Sequence, residues 1–363
     1  MSVASKIKKR SSLFMEILRQ TPYRRILRQI DRNSDTIVWL HHRYPDSWLK
    51  FLATGDSILK DVALLAAVAD AGIKFRIVSG PSIGPVTNST IIYSIDRFNP
   101  AGVVNYSAGL VAALRELESQ GNTLYPSADE AEYWENKAFM HRQFDALGIH
   151  APKTVLLERG EAAEPLIAAA GLAFPLLVKE PHSCNSAGLH TVDSFAELEA
   201  LRTRLESTGQ KVLIVQEILD MRRDLRATVI GGEVVHHYFR INTTDTWMPT
   251  TTRRGSQVDF VTFPEQWRGT ITGAMEAMGM RNGAFDICWD GDDLTTEPYF
   301  LEVSPAYTPN PAPPASLDGQ PYADFKARLV GDDSFARAFV SLVFELHELV
   351  VKAWGIGNSR SNN

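Results

Sequence analysis

Short apolar runs alternate with amphipathic segments through residues 36–125, and this alternation most limits the folds open to the chain. Helical periodicity is evident at 57–72 and 108–120. Four runs have the length and composition of buried strands: TIVWLHH (36–42), KFRIVSG (74–80), IIYS (91–94) and VVNYS (103–107). Strands that alternate with helices predict a parallel sheet covered by helices. We therefore expect a small α/β domain over 36–125.

A second unit is expected to begin at Pro126. Ser127 and Glu130 have the spacing of a capping box, which predicts a helix from there to about Leu147. Strands are predicted at 152–157, 175–180 and 211–219, in a hairpin over 225–241 and in a pair at 283–290 and 298–307, with helices at 194–208, 264–280 and 333–354. The predicted organisation is a basic helical extension (1–35), an α/β domain (36–125), a main domain (126–309), and a proline-rich segment with a final helix (310–363).

Charge and cysteine content narrow the functional classes. The net charge is -6 and the pI is near 5.9, which argues against a general nucleic-acid-binding protein. Two cysteines do not make a disulfide framework, so we expect a cytoplasmic protein. No apolar run reaches transmembrane length.

Residues 1–35 are basic and amphipathic, which is typical of a helix packed on a domain. The alternative is that this segment contacts a membrane surface or another protein.

Two carboxylates are predicted to meet in the last strand pair. Side chains alternate along a strand, so Asp286 and Cys288 should share one face, as should Phe300, Glu302 and Ser304. A turn centred near residue 294 would place Asp286 opposite Glu302. Paired carboxylates need a cation, a shared proton or a basic neighbour. Carboxylate and phosphate oxygens are the ligands that Mg²⁺ prefers, so the pair indicates a magnesium site. The alternative interpretation is that one of the two carboxylates is simply exposed at the sheet edge.

Basic residues elsewhere in the main domain suit an anionic ligand. Lys179 ends an otherwise apolar strand, and Lys137 lies within the predicted helix. The loop at 182–188 is rich in small polar residues whose backbone N–H groups can hold phosphate. Guanidinium groups bind carboxylates and phosphates, and the candidates are Arg226, Arg240, Arg253 and Arg254. Taken singly, each of these groups is equally typical of a solvated surface.

The order of these elements resembles the ATP-grasp superfamily over residues 126–309. The matching segments are ENKAFMHRQFDALGIHAPKT, FPLLVKEPHSCNSAGLHTV, VLIVQEIL, DLRATVIGGEVV, FDICWD and YFLEVS. The resemblance implies an α/β (α+β) architecture, in which two α+β subdomains clamp a nucleotide. It also implies that a small Rossmann-like α/β domain precedes them. Amino-acid ligases are the most similar members in style.

The resemblance also implies roles for individual residues. The implied cofactor-binding residues are Lys137 and Lys179 at the phosphates, Ser186 and Gly188 in the loop over them, Gln216, Glu217, Ile218 and Leu219 at the adenine, and Asp224 with Arg226 near the ribose. Asp286 and Glu302 match the metal carboxylates. Ser304 stands where the family usually has asparagine, so it would be a weaker metal ligand, and the number of metal ions is left open.

The implied reaction uses ATP with Mg²⁺, or Mn²⁺ in its place, to activate a carboxylate as an acyl phosphate and couple it to an amine. Arg240, Arg253 and Arg254 would hold the substrate carboxylate and the transferring phosphate. The partners would be small-molecule carboxylates and amines, and a homo-oligomer is possible for this family. Two alternatives remain: a kinase acting on a hydroxyl, or a degenerate nucleotide-binding regulatory protein. Zinc or thiol chemistry is disfavoured because His182, Cys184, His236 and His237 fit no zinc spacing.

Overall fold

The computed structural model describes residues 3–40, 55–80, 82–95, 106–183, 188–242, 250, 256–312 and 333–356. Within these ranges, no helix is both long enough and apolar enough to cross a membrane. The α-helices are α1 Val3–Gln20, α2 Tyr23–Gln29, α3 Gly55–Asp70, α4 Tyr106–Ser119, α5 Ala128–Glu132, α6 Lys137–Leu147, α7 Ala163–Ala169, α8 Phe195–Ser207, α9 Arg268–Ala277 and α10 Asp333–Trp354. Short 3-10 turns lie at Glu265–Trp267 and Asp290–Asp292.

Strands from the described residues form three sheets. The strands are β1 Thr36–Leu40, β2 Arg76–Ser79, β3 Thr90–Tyr93, β4 Thr123–Tyr125, β5 Thr154–Glu158, β6 Leu176–Lys179, β7 Leu189–Val192, β8 Val212–Glu217, β9 Arg223–Ile230, β10 Glu233–Ile241, β11 Gln257–Asp259, β12 Asn282–Cys288 and β13 Tyr299–Ser304. The sheet orders are β2-β1-β3-β4, β5-β8-β6-β7 and β11-β10-β9-β12-β13. The first sheet is parallel and the other two are antiparallel.

The parallel sheet confirms the prediction from alternating strands and helices. Val38 pairs with Ile77 on one side and with Ile92 on the other. The predicted strand over 103–107 is wrong where it can be checked, because Tyr106 and Ser107 begin α4, and residues 103–105 lie outside the described residues. Strand β4 was not predicted, because three residues are too few to show a period.

The helix predicted from Ser127 to Leu147 is two helices. The capping box is confirmed: Glu130 N donates to Ser127 Oγ at 3.2 Å, and Ser127 N donates to Glu130 Oε2 at 2.9 Å. The chain then breaks at Glu135, whose φ of 48° is left-handed, and Asn136 caps α6 by accepting from Phe139 N. Lys137 is therefore the first residue of α6 rather than a mid-helix residue.

The two antiparallel sheets face different cores. The sheet of β5 to β8 packs against α7 and α8, and the five-stranded sheet packs against α6 and α9. The hairpin predicted at Gly231-Gly232 is confirmed, since both glycines have positive φ between β9 and β10. Strand β7 was not predicted, because the sequence there was interpreted as part of the polar loop.

A β-bulge between Asp286 and Ile287 corrects the predicted faces of β13. Asp286 pairs with Glu302, as predicted, but the next partner of Ile287 is Phe300. Phe300 consequently leaves the face of Glu302 and packs into the core, 4.9 Å from the Phe285 ring centroid. The extra residue of a bulge reverses the alternation of side chains beyond it.

Helices α1 and α10 pack together beside α3. Ile17 is buried against Phe339 and Val340, so one face of the basic N-terminal segment contributes to a core. Met15 and Leu27 on the other side are 62% and 67% exposed. The function of this exposed face stays a prediction.

Candidate active site

Asp286 and Glu302 lie side by side on the face of the five-stranded sheet that is turned away from its core. They are direct partners in the register of β12 and β13. Their neighbours Phe285, Ile287 and Val303 occupy the hydrophobic core on the opposite face. The apolar residues thus fix the sheet and thereby the direction of both carboxylates. The predicted carboxylate pair is present.

Lys137 brings a positive charge to Glu302. Its Nζ lies 3.4 Å from Glu302 Oε1, and the lysine is only 6% exposed. The same ammonium donates to the backbone carbonyl of Ser183. Pro181 O also accepts from the backbone N of Lys137 at 3.0 Å. The start of α6 is therefore bound both to the carboxylate site and to the loop after β6.

Lys179 adds a second buried ammonium at the end of β6. Burial lowers its pKa from 10.5 to about 8, while the negative charge of Glu302 opposes that shift and the positive charge of Lys137 adds to it. Among the described residues, no carboxylate lies within ion-pair distance of its Nζ. A buried lysine with little local compensation is suited to an anionic ligand.

Two arginines bind Asp286 from neighbouring strands. Arg226 Nε lies 2.7 Å from Asp286 Oδ1, and an Arg240 terminal nitrogen lies 2.9 Å from the same oxygen. Arg240 also forms a two-pronged ion pair with Asp224, which is 2% exposed. Burial raises the pKa of Asp224, and Arg240 opposes that shift. In this structure Asp224 is therefore the ion-pair partner of Arg240. Its contact with a ribose stays a prediction.

His141 belongs to this site although it was not predicted. It is 5% exposed, and neither ring nitrogen has a hydrogen-bond partner within the described structure. Burial, followed by the charges of Lys179 and Lys137, lowers its pKa well below 6.5, so the ring is neutral. The signal in the sequence was its position four residues after Lys137, one helical turn along α6.

The loop after β6 is closed by Gly188. Its φ is +72°, and a Cβ there would lie 2.9 Å from the Cβ of Glu180. Its carbonyl accepts from Glu180 N at 2.9 Å. Glycine is thus required by the geometry at the base of this loop. Ser186 lies outside the described residues, as do Arg253 and Arg254.

The predicted adenine segment, 216–219, lies at the end of β8. The Gln216 side chain is buried and donates to Thr154 Oγ1 at 2.8 Å, while Glu217 Oε1 accepts from Lys153 N at 2.8 Å. Ile218 and Leu219 follow the strand and line an open groove together with Glu217, Asp220, Leu172 and Pro175. The side chains of Gln216 and Glu217 thus already have hydrogen-bond partners. Backbone groups are therefore the ones available for binding an adenine base.

Ser304 is engaged in a local turn. Its hydroxyl donates to Ala306 O at 2.8 Å and accepts from Ala306 N at 3.2 Å. Over the part of the chain that the structure describes, no group of three or more His, Cys, Asp or Glu side chains could hold a metal by itself. Cys184 is not among the described residues.

The acidic turn between β12 and β13 joins the two antiparallel sheets, a role that sequence reasoning missed. Asp290 Oδ1 accepts from Asp220 N at 2.8 Å. Asp292 Oδ1 accepts from Arg222 N at 3.2 Å and from Arg223 N at 3.3 Å. These bonds satisfy the backbone between β8 and β9, so this turn fixes the link between the sheets.

Lysines from α6 and β6 meet carboxylates from β12 and β13 between two antiparallel sheets, and the comparisons support the resemblance to the ATP-grasp superfamily. More particularly, residues 134–306 match the model of the RimK-like ATP-grasp domain. The predicted ATP-grasp fold is therefore confirmed.

Two curated relatives are ligases. The chain is 28% identical over 157 residues to a probable alpha-L-glutamate ligase of Rhodopirellula baltica, a match that covers 43% of this chain and 37% of that one. It is 28% identical over 191 residues to a tetrahydromethanopterin:alpha-L-glutamate ligase of Methanosarcina acetivorans, covering 48% and 56%. The chain spans less than two thirds of the length of both.

Solved structures show the same fold across most of the chain. D-cycloserine synthetase DcsG has a TM-score of 0.52 at 16% identity, covering 86% of this chain and 99% of that one. D-alanine–D-alanine ligase of Bacillus anthracis, in a complex with ATP, has a TM-score of 0.54 at 11% identity, covering 91% and 100%. At such identities the likeness extends to the fold alone.

Proposed function

We propose that this protein is an ADP-forming ligase that activates a carboxylate with ATP and couples it to an amine. The observation that supports this most is the meeting of Lys137 and Lys179 with Asp286 and Glu302. Two buried ammonium groups suit a polyphosphate, and two carboxylates suit the divalent cation that accompanies it. The similarity of residues 134–306 to RimK-like domains supports the same assignment.

We assign the metal to Asp286 and Glu302 and take it to be Mg²⁺, with Mn²⁺ as a substitute. The residues fit, because Mg²⁺ in nucleotide sites uses one or two carboxylates and completes its shell with phosphate oxygens and water. Glu302 has a 35% exposed side chain and so retains acceptor capacity beside Lys137. The ion would neutralise phosphate charge as a Lewis acid. Because the Ser304 hydroxyl is bonded to Ala306, we favour one protein-bound ion.

The side chains then bind and orient the substrates. Lys137 and Lys179 hold the phosphates, and backbone groups of 217–219 face the adenine. Asp224 and Arg226 stay assigned to the ribose side. Arg240, held by Asp224, offsets the charge of Asp286, and Arg253 and Arg254 stay our candidates for the substrate carboxylate. Preorganised charges of this kind stabilise a transferring phosphoryl group.

The reaction needs no covalent bond to the protein. An oxygen of the substrate carboxylate attacks the γ-phosphorus of ATP, the bond from that phosphorus to the β-phosphate oxygen breaks, and ADP leaves. The amine then attacks the acyl carbon, phosphate departs with the bonding electron pair, and the amine loses a proton. Exclusion of water protects the acyl phosphate. The loop closed by Gly188 is our candidate cover, beside the segment 242–256.

Other assignments are also proposals. We keep the division of the chain into domains that end at residues 35, 125 and 309. The unit over 36–125, which precedes the ATP-grasp domain, stays assigned as a Rossmann-like domain. The two cysteines support a cytoplasmic location. The exposed basic and apolar face of α1 and α2 is where a membrane or protein contact would form, and the oligomeric state is to be measured.

The test is an ADP-release assay with pairs of carboxylic acids and amines, followed by mass spectrometry of the products. Asp286→Asn and Glu302→Gln should each reduce turnover by about 100-fold. Glu297→Gln removes an exposed carboxylate just before β13 and should have no effect. Unchanged turnover in both site variants would remove the metal assignment. A phosphorylated hydroxyl product would identify a kinase, and ATP binding without ADP formation would identify a regulatory protein.

A further inference from the structure

The exposed large apolar side chains of this protein are concentrated on α1 and α2. Among the described residues, nine large apolar side chains are exposed, and six of them lie within residues 14–30: Phe14, Met15, Leu18, Tyr23, Leu27 and Ile30. Single exposed apolar side chains are normal on a protein surface, whereas a cluster of them marks a site of contact. We call these six residues, together with Arg24 and Arg28, the α1–α2 patch.

The geometry of the two helices turns these side chains towards solvent. One face of each helix is docked onto a hydrophobic core through a buried isoleucine, Ile17 in α1 and Ile26 in α2. Side chains four residues apart lie on the same face of a helix. Each helix therefore has one exposed apolar row on another face, Phe14 with Leu18 and Tyr23 with Leu27. Only two residues, 21 and 22, separate α1 from α2, so the two rows follow each other closely.

Arginine side chains accompany the exposed apolar row of α2. Arg24 and Arg28 are four residues apart, and each directly follows a residue of that row. Both are exposed, and neither forms an ion pair with a described residue. The carboxylate of Glu16 on α1 is buried and already paired with Arg19 at 3.0 Å. The positive charges of Arg24 and Arg28 consequently remain available to a ligand.

The N-terminal segment and the rest of the chain carry opposite charges. Residues 1–35 contain nine lysines and arginines against three aspartates and glutamates, which gives a net charge of +6. Because the whole chain carries -6, residues 36–363 carry -12. A basic segment on an otherwise acidic protein indicates attraction to a negatively charged surface. The segment thus combines positive charge with exposed apolar side chains.

This combination fits an anionic lipid surface better than other occupants. Helices that lie in a membrane interface combine basic residues with exposed aromatic and aliphatic ones. A nucleic acid backbone would offer phosphates to Arg24 and Arg28, but it has no apolar layer for Met15 or Leu27. A second copy that docked through the same patch about a twofold axis would bring arginines against arginines. A bilayer with anionic headgroups satisfies both the charges and the apolar side chains.

We propose that the α1–α2 patch binds the surface of an anionic lipid bilayer. The apolar side chains enter the boundary between headgroups and acyl chains, and Arg24 and Arg28 contact the headgroup phosphates and carboxylates. Burial of apolar area and attraction to anionic lipids both strengthen this kind of binding. The inference is independent of the proposed ligase function, because none of the patch residues belongs to the candidate active site.

The experiment measures the partition of the full chain onto vesicles by cosedimentation. One set of vesicles contains phosphatidylserine in phosphatidylcholine, and the other contains phosphatidylcholine alone. Binding is expected only to the anionic set, and added salt should weaken it by screening the charges. Arg24→Gln combined with Arg28→Gln should lower the partition coefficient about 30-fold, at about fivefold for each charge. Met15→Gln combined with Leu27→Gln should lower it by about tenfold or more.

Matched controls remove the same kinds of group from other exposed positions. Arg204→Gln combined with Lys211→Gln changes the net charge by the same amount, on α8 and just before β8. Leu147→Gln removes an apolar side chain that is 40% exposed at the end of α6. Both controls should bind the anionic vesicles as the wild type does. Circular dichroism checks that every variant is folded.

The outcomes divide between support and rejection. Vesicle binding that only the patch variants lose, with ADP release unchanged, would support the proposal. The absence of binding to phosphatidylserine vesicles would overturn it, as would equal losses in the patch and control variants. If the chain stayed off vesicles and the patch variants changed its oligomeric state in analytical ultracentrifugation, the patch would be an interface between copies. A chain that forms no ADP but binds vesicles through the patch would reject the ligase assignment alone.

Discussion

The ammonium of Lys137 lies 3.4 Å from the carboxylate of Glu302, although one residue begins α6 and the other lies on β13. The lysine side chain is 8% exposed and the glutamate side chain 35%. The pair brings a fixed positive charge beside a carboxylate that still faces outward. A site of this kind can bind a metal–phosphate complex with little rearrangement of charge.

Replacing Lys137 with methionine should lower kcat/KM for ATP by about 100-fold, because one preorganised charge is lost. The loop contact to Ser183 O would be lost as well. Lys352→Met, an exposed substitution on α10, is the control. The measurement is steady-state ADP release together with equilibrium nucleotide binding. Equal activity of both variants would contradict the role of Lys137.

Activity should depend on the protonation of Lys179. Its pKa is lowered to about 8 by burial, so the free enzyme holds the charge below pH 8 and loses it above. We expect kcat/KM for ATP to fall as the pH rises through about 8, whereas kcat, which reports the nucleotide complex, falls at higher pH. Lys179→Arg should abolish this decrease in kcat/KM near pH 8, since arginine stays charged. If kcat/KM for ATP still decreased near pH 8 in this variant, another titrating group would be responsible.

The same shift predicts a stability change with a definite sign. The ordinary pKa of 10.5 applies to the unfolded chain, which therefore binds more protons than the folded chain between pH 8 and 10.5. Stability contributed through Lys179 consequently rises with pH in that window. Urea unfolding of the wild type and of Lys179→Met should show this slope only in the former.

Gly188→Ala should affect the loop more than the fold. The left-handed φ costs about 1–2 kcal/mol for a residue with a Cβ, and the Cβ would also contact Glu180. Gly160→Ala is a matched control, because its φ is +87° and nothing lies within 4 Å of the added Cβ. Gly188→Ala should lose more stability in urea than Gly160→Ala, because only its added Cβ lies as close as 2.9 Å to another side-chain atom. Only Gly188→Ala should raise the KM for ATP, and an equal KM in the two would argue against the loop as a cover.

The acidic turn should matter for stability and not for chemistry. Asp292→Ala leaves backbone donors of Arg222 and Arg223 without their acceptor, at a cost of about 1–3 kcal/mol. Asp293→Ala should cost less, because this exposed side chain accepts only from Thr295 among the described residues. Thermal unfolding gives the difference, and kcat measured well below Tm should be unchanged. A large loss of kcat would instead assign Asp292 to the site.

Local patterns in the sequence determined much of this protein. Period-two alternation and a short turn placed Asp286 opposite Glu302, and the apolar run before Lys179 placed that lysine at a strand end. The capping box at Ser127 and the glycine pair at 231–232 also formed as predicted. Each of these features depends on residues that are close in sequence, so propensity and periodicity were sufficient.

Tertiary structure decided what distant residues do to one another. The bulge at Asp286 turned Phe300 into the core, and packing of the loop after β6 onto Lys137 accompanies the helix break at Glu135. Arg240 is bound to Asp224 and Asp286. These three residues lie on three strands that only the sheet brings together. A cavity lined by Tyr93, Pro305 and Trp354 likewise forms from segments far apart in the chain. Charge pairing and close packing depend on distances in space, which no period in the sequence encodes.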